Sequence, residues 1–365
     1  MRLKFLLPAV ALLFEASRLS AAAGNLTLQN NLTFYGDNTE FFEPFRLRET
    51  NLGQQLESFL KAETGIHTSV RGGIFANHRS ALDSSTEVLP ILSFIYKTPE
   101  SEGIFGTLLP VKRHGLIEPM EITILELTRP IEYGMQWIQD DEAVQADLFL
   151  NWQHLLTASS REIFDYGGSA RLYCLPGVAL GAQAHCYHVG GASYGGVVRN
   201  NFVGGVGLIL ESQIPLLGKS SLEAFGLLSN DTARPAYPGP VNGAGFYAKG
   251  TFSPLDHWEA FGIAWVGKDF MSEEGDGNYN SFGYDGVFYK SDRNYEEAGI
   301  RYSVALDPGV IFDFEIRSHW IEDAWAHSFR IVATAPFNVD VDITNKKSQH
   351  GDTKPLRTDS DATDK

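Results

Sequence analysis

The segment Val310–Ile321 alternates apolar and charged side chains with a period of two. The apolar set is Val310, Phe312, Phe314, Ile316 and Trp320. The second set, which is mainly polar, is Ile311, Asp313, Glu315, Arg317 and His319. Successive side chains of a β-strand point to opposite faces, so the pattern predicts a strand with one apolar and one charged face. Helical spacing would mix the two sets. Such a ribbon is typical of a wall that separates lipid from water.

A second region, 130–153, repeats the pattern as a hairpin. In its first half the apolar residues lie at odd positions: Ile131, Tyr133, Met135 and Trp137. After an acidic turn at 140–142 they lie at even positions: Val144, Ala146, Leu148, Leu150 and Trp152. Phe149 does not fit the pattern. We expect the lipid-facing side to include Tyr133, Trp137, Leu148, Leu150, Phe312 and Phe314.

The alternation recurs in later segments that turn-like clusters separate. With about 20 residues for each strand and its connection, roughly 16 strands (about 14 to 18) fit between residues 24 and 344. We therefore predict an all-β fold, an antiparallel transmembrane β-barrel. Strands are also favoured before residue 113, although Leu52, Leu56 and Leu60 would satisfy a short helix.

The two ends of the chain differ from the alternating region. Residues 1–23 combine a basic start, an apolar run of about ten residues and small residues before Gly24, which predicts a cleaved secretory signal peptide. No later apolar run reaches the ~20 residues that a transmembrane helix needs. Residues 345–365 are polar and lack aromatic residues, which predicts a disordered tail.

Charge and cysteine content narrow the classes of partner. A net charge of −16 disfavours nucleic acid, because that partner is bound chiefly through its phosphates. Cys174 and Cys186 are the two cysteines of an exported chain. They could form a disulfide or remain unpaired, and spacing alone does not decide between the two.

Because side chains alternate between the two faces of a strand, odd or even position predicts which of them point into a water-filled interior. The pore-lining candidates are Glu132, Gln136, Asp147, Asn151, Glu211, Glu297, Arg301, Asp313, Glu315, Arg317 and His319. The basic group at Arg113 and His114 could form a constriction, or it could lie in a solvated turn. Carboxylates outnumber bases among these candidates, which predicts mild cation selectivity.

No motif indicates a cofactor or a metal. His185 and His188 would face opposite sides of a strand, and the acidic stretch from Asp276 lacks the glycine and glutamate of a calcium loop. There is no G-x-S-x-G sequence. We therefore expect a protein that is not an enzyme, with an outer-membrane hydrolase as a minor alternative.

The last alternating strand supplies a family resemblance. Phe329, Ile331, Ala333, Ala335 and Phe337 alternate with polar residues, and this pattern resembles the terminal strand of bacterial outer-membrane β-barrels. The chain departs from that family by continuing beyond Phe337. The resemblance implies outer-membrane lipid and the barrel assembly machinery as partners, and a porin-like channel for small hydrophilic solutes as the function. A barrel that binds or exports a surface polysaccharide, and a soluble carbohydrate-binding β-sandwich, are the alternatives.

Overall fold

The computed structural model describes residues 26–80, 85–110, 112–191, 197–233, 239–306 and 309–341. Over these residues the chain forms sixteen strands. They are β1 (Leu26–Glu40), β2 (Glu49–Glu63), β3 (Thr68–Arg79), β4 (Ser85–Lys97), β5 (Ser101–Leu108), β6 (Glu132–Asp140), β7 (Val144–His154), β8 (Ile163–Leu175), β9 (Val178–Val189), β10 (Arg199–Ile214), β11 (Gly218–Asp231), β12 (Val241–Leu255), β13 (Trp258–Lys268), β14 (Asp292–Leu306), β15 (Val310–Ile321) and β16 (Ala324–Val341).

The strands form one closed antiparallel barrel in which each strand pairs with its neighbours in the sequence. Pairing of β1 with β16, from Leu26 opposite Val341 to Glu40 opposite His327, closes the sheet. The predicted fold class is confirmed. A β-sandwich is wrong, because a closed sheet has no second sheet to pack against.

Local predictions can be compared with individual strands. The predicted hairpin is present as β6 and β7, with Trp137 opposite Leu148. The leucines that could also satisfy a helix lie in strand β2. The segments predicted as signal peptide, 1–23, and as tail, 345–365, lie outside the described residues.

The two cysteines are not joined by a disulfide. Cys174 is exposed and Cys186 is buried, and both are free thiols. Cys186 lies opposite Tyr166, eight positions along β8 from Cys174. At about 3.3 Å per residue this separation is far beyond the ~7 Å limit between bridged Cα atoms.

The connections differ between the two ends of the barrel. At the end where β1 begins and β16 ends, which we call the termini end, the strands are joined by tight turns such as 176–177 and 256–257. At the other end, which we call the long-loop end, most connections are longer, among them 41–48, 109–131 and 269–291. They contain one short helix, α1 (Leu125–Thr128), and two helical turns, Lys112–Gly115 and Gly277–Tyr279.

Side chains on the outside of the wall are apolar and exposed, as lipid contact requires. Leu148 is 54% exposed and Trp137 is 44% exposed, although both are large apolar residues. The barrel interior holds a buried aromatic cluster that includes Trp265, Phe270 and Tyr279. In the described part of the chain, no helix is both long and apolar enough to span a bilayer.

Candidate functional site

Two of the long connections fold into the barrel and fill it near the long-loop end. We call residues 109–131 plug loop A and residues 269–291 plug loop B. Their backbones are joined directly, because Ile122 N–H donates to the Glu274 carbonyl at 2.8 Å and Asp276 N–H donates to the Glu118 carbonyl at 3.0 Å. The two loops therefore form one plug.

Plug loop A is attached to the wall by ion pairs. Arg113 lies between Glu121 of the same loop and Glu132 of β6, at 2.7 Å from the latter. His114 Nε2 lies 2.9 Å from Glu132, and Nδ1 lies 3.1 Å from Asp147 of β7. The backbone at Lys112, Arg113 and His114 is left-handed, with φ of 46°, 48° and 57°. Three consecutive non-glycine residues in this region are strained, so the wall contacts must hold them in place.

The contacts of His114 decide what this histidine can do. Burial opposes its charge, but hydrogen bonds to Asp147 and Glu132 outweigh burial and raise the pKa of His114 to about 9. Its ring also stacks on Phe149 with centroids 3.7 Å apart, which explains the inward position of the one residue that departs from the alternation. A histidine that already holds its proton at neutral pH is an anchor rather than a general base.

A second cluster, which we call the relay, lies on the inner face of β14, β15 and β16. His319 Nε2 lies 2.8 Å from Ser328 Oγ, and His319 Nδ1 lies 2.7 Å from the Tyr295 hydroxyl oxygen. The Tyr295 hydroxyl donates to Glu297, whose nearer carboxylate oxygen lies 3.5 Å from His319 Nδ1. All four residues are at least nine-tenths buried.

The hydrogen bonds of the relay run in one direction. With Tyr295 donating to Glu297, the tyrosine oxygen can accept from His319 Nδ1–H, and in that neutral tautomer Nε2 can accept the Ser328 hydroxyl proton. A nucleophile, a base and an orienting carboxylate in this order can carry out acyl transfer. The relay is thus chemically equipped for ester hydrolysis.

A small cavity lies beside Ser328. Its volume is about 10 Å³, which is roughly the space of one water molecule. Guanidinium groups of Arg317, Arg330 and Arg46 line it. Arg317 pairs with Glu118, Glu297 and Glu315, and Arg330 lies 2.7 Å from Asp37. Asp37 and Glu315 line the same cavity, so the guanidinium groups next to the serine are paired with carboxylates; their N–H groups are the donors nearest to where an oxyanion would form.

Residues 41–48 cover the relay, and we call them the lid. Phe41 is 1% exposed and its ring centroid lies 4.9 Å from that of His319. Arg46 forms an ion pair with Asp276 of plug loop B. A Cβ atom at Gly277 would lie 2.0 Å from the Phe45 carbonyl oxygen, so the lid and plug loop B pack with their backbones in close approach.

The residues that parity assigned to the interior fall into three groups. Those in contact with plug loop A or near it are Glu132, Gln136, Asp147 and Asn151, together with Arg113 and His114 of the loop itself. Those in or beside the relay are Glu297, Glu315, Arg317 and His319. Those nearer the termini end are Glu211, Arg301 and Asp313, which lie close to Arg171, Glu259 and Ser303 respectively.

Sequence reasoning missed Ser328 and Tyr295. Both share the inward parity of their strands, since Ser328 alternates with Phe329 and Tyr295 lies two residues before Glu297. Parity could have placed them in the interior. Only the register, in which Arg317 lies opposite Ser328, shows that the serine reaches His319 on the neighbouring strand.

A family model described as lipid A 3'-O-deacylase-type matches residues 18–346. The chain belongs to this family. The match covers the whole barrel, and it overturns the expectation that the protein is not an enzyme, because the family is described by a deacylase activity. No curated protein sequence matches the chain.

Solved structures that resemble the chain share its fold. OmpTΔL8, a loop deletion mutant of OmpT from the outer membrane of Vibrio cholerae, has a TM-score of 0.54 at 10% identity, over 86% of this chain and 100% of that one. OccK11 (OpdR) of Pseudomonas aeruginosa has a TM-score of 0.50 at 12% identity, over 87% of this chain and 98% of that one. At such identities the likeness shows the outer-membrane barrel fold alone.

Proposed function

We propose that this protein is an outer-membrane esterase that removes an acyl chain from lipid A or a closely similar glycolipid. The observation that carries the proposal is the relay, in a chain that belongs to a deacylase-type family. Outer-membrane barrels have short periplasmic turns and longer extracellular loops. By that rule the long-loop end faces the outside, and the relay lies at the level of the outer leaflet, where lipid A is found.

The relay performs the reaction in two steps. In the first, Ser328 Oγ attacks the ester carbonyl carbon while His319 Nε2 takes the hydroxyl proton, and the proton then passes to the departing sugar oxygen. In the second, water attacks the acyl-serine while His319 takes its proton and returns it to Ser328. The products are a fatty acid and a sugar hydroxyl. Glu297, through Tyr295, orients the imidazole and stabilises its charge.

The decisive experiment measures fatty acid release from purified lipid A by mass spectrometry. We expect Ser328→Ala and His319→Gln each to lower the rate by at least about 10³-fold. Matched controls are Ser318→Ala and His327→Gln, since Ser318 and His327 lie opposite each other on the outer face of the same two strands. Full activity in both relay variants would overturn the assignment, and loss in the outer pair instead would move the catalytic site to the lipid-facing wall.

A second candidate is the passive diffusion of small hydrophilic solutes. It is supported by a cavity of about 920 Å³ on the termini side of the plug, lined by charged residues that include Glu57, Arg171 and Lys249. The plug lies between this cavity and the long-loop end, so solutes could pass only if the plug moved. Single-channel recording in a planar bilayer tests this candidate.

A further inference from the structure

The lid has two faces of opposite character. Phe41 and Phe45 are buried, at 1% and 4% exposure, against the relay and plug loop B. Phe42 and Leu47 point away from the protein and are 62% and 50% exposed. Apolar side chains at this exposure in an eight-residue connection have nothing within the described chain to bury them.

The exposed face of the lid also carries a positive charge. Arg48 is exposed, and its guanidinium lies 5.6 Å from the centroid of the Phe42 ring. An exposed arginine beside an aromatic ring offers a fork of donors to a phosphate and apolar area to acyl chains. This pairing matches the boundary of a lipid layer that bears anionic headgroups.

The lid is located where it would meet that boundary. Glu40, the residue before the lid, lies opposite His327, two positions along β16 from Trp325. Trp325 and its partner Trp320 are 60% and 44% exposed on the outer wall. Tryptophan rings of this kind mark the membrane–water interface of a barrel, so the exposed face of the lid continues the interfacial belt of the wall.

The cavity beside Ser328 is too small for a substrate. It holds roughly one water molecule, and Phe41 packs on His319. Arg46 of the lid lines this cavity, so displacement of the lid would widen it next to Ser328. The lid is held by buried Phe41 and Phe45, which pack on His319 and Tyr289. Polar contacts to plug loop B add to this: the Arg46–Asp276 ion pair and the hydrogen bond from Tyr284 N–H to the Pro44 carbonyl at 3.1 Å.

We propose that residues 41–48 are a lid operated by lipid: Phe42, Leu47 and Arg48 dock on an anionic lipid surface, and this docking uncovers Ser328. The proposal rests on the proposed function, because it names the surface that activates the same site. It makes the enzyme active where its substrate is packed in a membrane and inactive elsewhere.

The first test measures opening without hydrolysis. In a background of Cys174→Ser and Cys186→Ser, the variant Ser328→Cys places a thiol under the lid. We expect a maleimide to label this thiol at least about tenfold faster after reconstitution in vesicles of 70% phosphatidylcholine and 30% phosphatidylglycerol than in pure phosphatidylcholine. Phe42→Ser/Leu47→Ser and Arg48→Gln should remove the difference. Ile66→Ser is the matched control, since Ile66 is 97% exposed at the opposite end of β2.

The second test locks the lid. Arg46→Cys/Asp276→Cys, in the same background, replaces the ion pair with a disulfide that oxidation forms and dithiothreitol breaks. We expect lipid A hydrolysis to be lost when oxidised and restored when reduced. Equal labelling of Ser328→Cys in the two kinds of vesicle would refute the lid proposal without contradicting the proposed esterase activity. Lipid-dependent labelling together with full hydrolysis by Ser328→Ala would support the lid and refute the catalytic assignment.

Discussion

At the residue scale, the catalytic proposal depends on which histidine can accept a proton. His114 and His319 are both buried within the barrel, but both nitrogens of His114 contact carboxylates. Those of His319 contact a serine and a tyrosine, with the Glu297 carboxylate 3.5 Å from Nδ1. The first arrangement stabilises an imidazolium and the second leaves one nitrogen as an acceptor. Because their partners differ, we assign His114 as an anchor of the plug and His319 as the catalytic base.

Tyr295 should act as a positioning residue. Tyr295→Phe removes the hydroxyl between His319 and Glu297, which costs a charge-assisted hydrogen bond but leaves the carboxylate 3.5 Å from the ring nitrogen. We expect kcat to fall about 10- to 100-fold with little change in KM. Tyr302→Phe, on the outer face of the same strand, is the control. A change in KM alone would show that Tyr295 contacts the substrate rather than the base.

His114 should make docking of the plug depend on pH. Its pKa is raised to about 9 in the folded protein from 6.5, so its contribution is complete below about pH 6.5 and is lost as pH rises through about 9. The difference corresponds to on the order of 3 kcal/mol. Hydrogen exchange of plug loop A should therefore accelerate between pH 7 and pH 10, beyond the intrinsic pH effect. A variant His114→Asn, with Arg113 and Glu132 intact, should lose this extra acceleration.

The sequence predicts the residues of the site better than it predicts their arrangement. His319 and Glu297 were assigned to the interior because parity alone determines the face of a strand. Ser328 and Tyr295 were not singled out, because an inward serine or tyrosine is unremarkable until its neighbour across the sheet is known. That neighbour depends on the turn at Glu322 and Asp323, where Glu322 has a φ of 56° that sequence pattern does not reveal.

At the element scale, each strand has a face for lipid and a face for the plug, and β7 shows both. Leu148 is 54% exposed on the outside, whereas the adjacent Asp147 accepts hydrogen bonds from His114 and Gln136 inside. The parity argument predicted the two faces. It could not predict that Asp147 holds a loop, because the partner lies 33 residues earlier in the chain.

Arginine substitutions on the two faces of β7 should therefore have different effects, one on membrane insertion and the other on docking of the plug. Leu148→Arg should destabilise insertion by about 2–4 kcal/mol if the residue lies near the bilayer midplane. Asp147→Arg should insert normally but release plug loop A, because it replaces the carboxylate that contacts His114 with a cation. Refolding titrations in lipid measure the first effect and protease sensitivity of residues 109–131 measures the second. Equal loss of insertion in both variants would contradict the assignment of faces.

At the scale of the whole molecule, the barrel was predictable and the plug was not. About 20 residues per strand gave the strand number, since the wall of a barrel must alternate throughout. Residues 109–131 carry no comparable period, and whether a long loop turns inward depends on distant contacts such as Arg129–Glu274 and Arg199–Glu273. These contacts join residues far apart in the chain.

The intact barrel should conduct ions poorly. We expect replacement of residues 116–127 by a short glycine–serine linker to open a current in a planar bilayer while heat-modifiable mobility on a gel is kept. Asp313→Asn/Glu315→Gln in that background should lower the preference for cations, because these carboxylates line the remaining cavity. If the variant without residues 116–127 carried no current, some other part of the chain would have to close the lumen.

The relay and its cover come from opposite ends of the chain. Ser328, His319 and Glu297 belong to the last three strands, whereas the lid and Asp37, the partner of Arg330, belong to the first hairpin. They meet only at the seam where β1 joins β16, the pairing that closes the cylinder. An unfinished polypeptide in transit has neither the pocket nor its cover, so we expect ester cleavage to begin only once assembly in the membrane is complete.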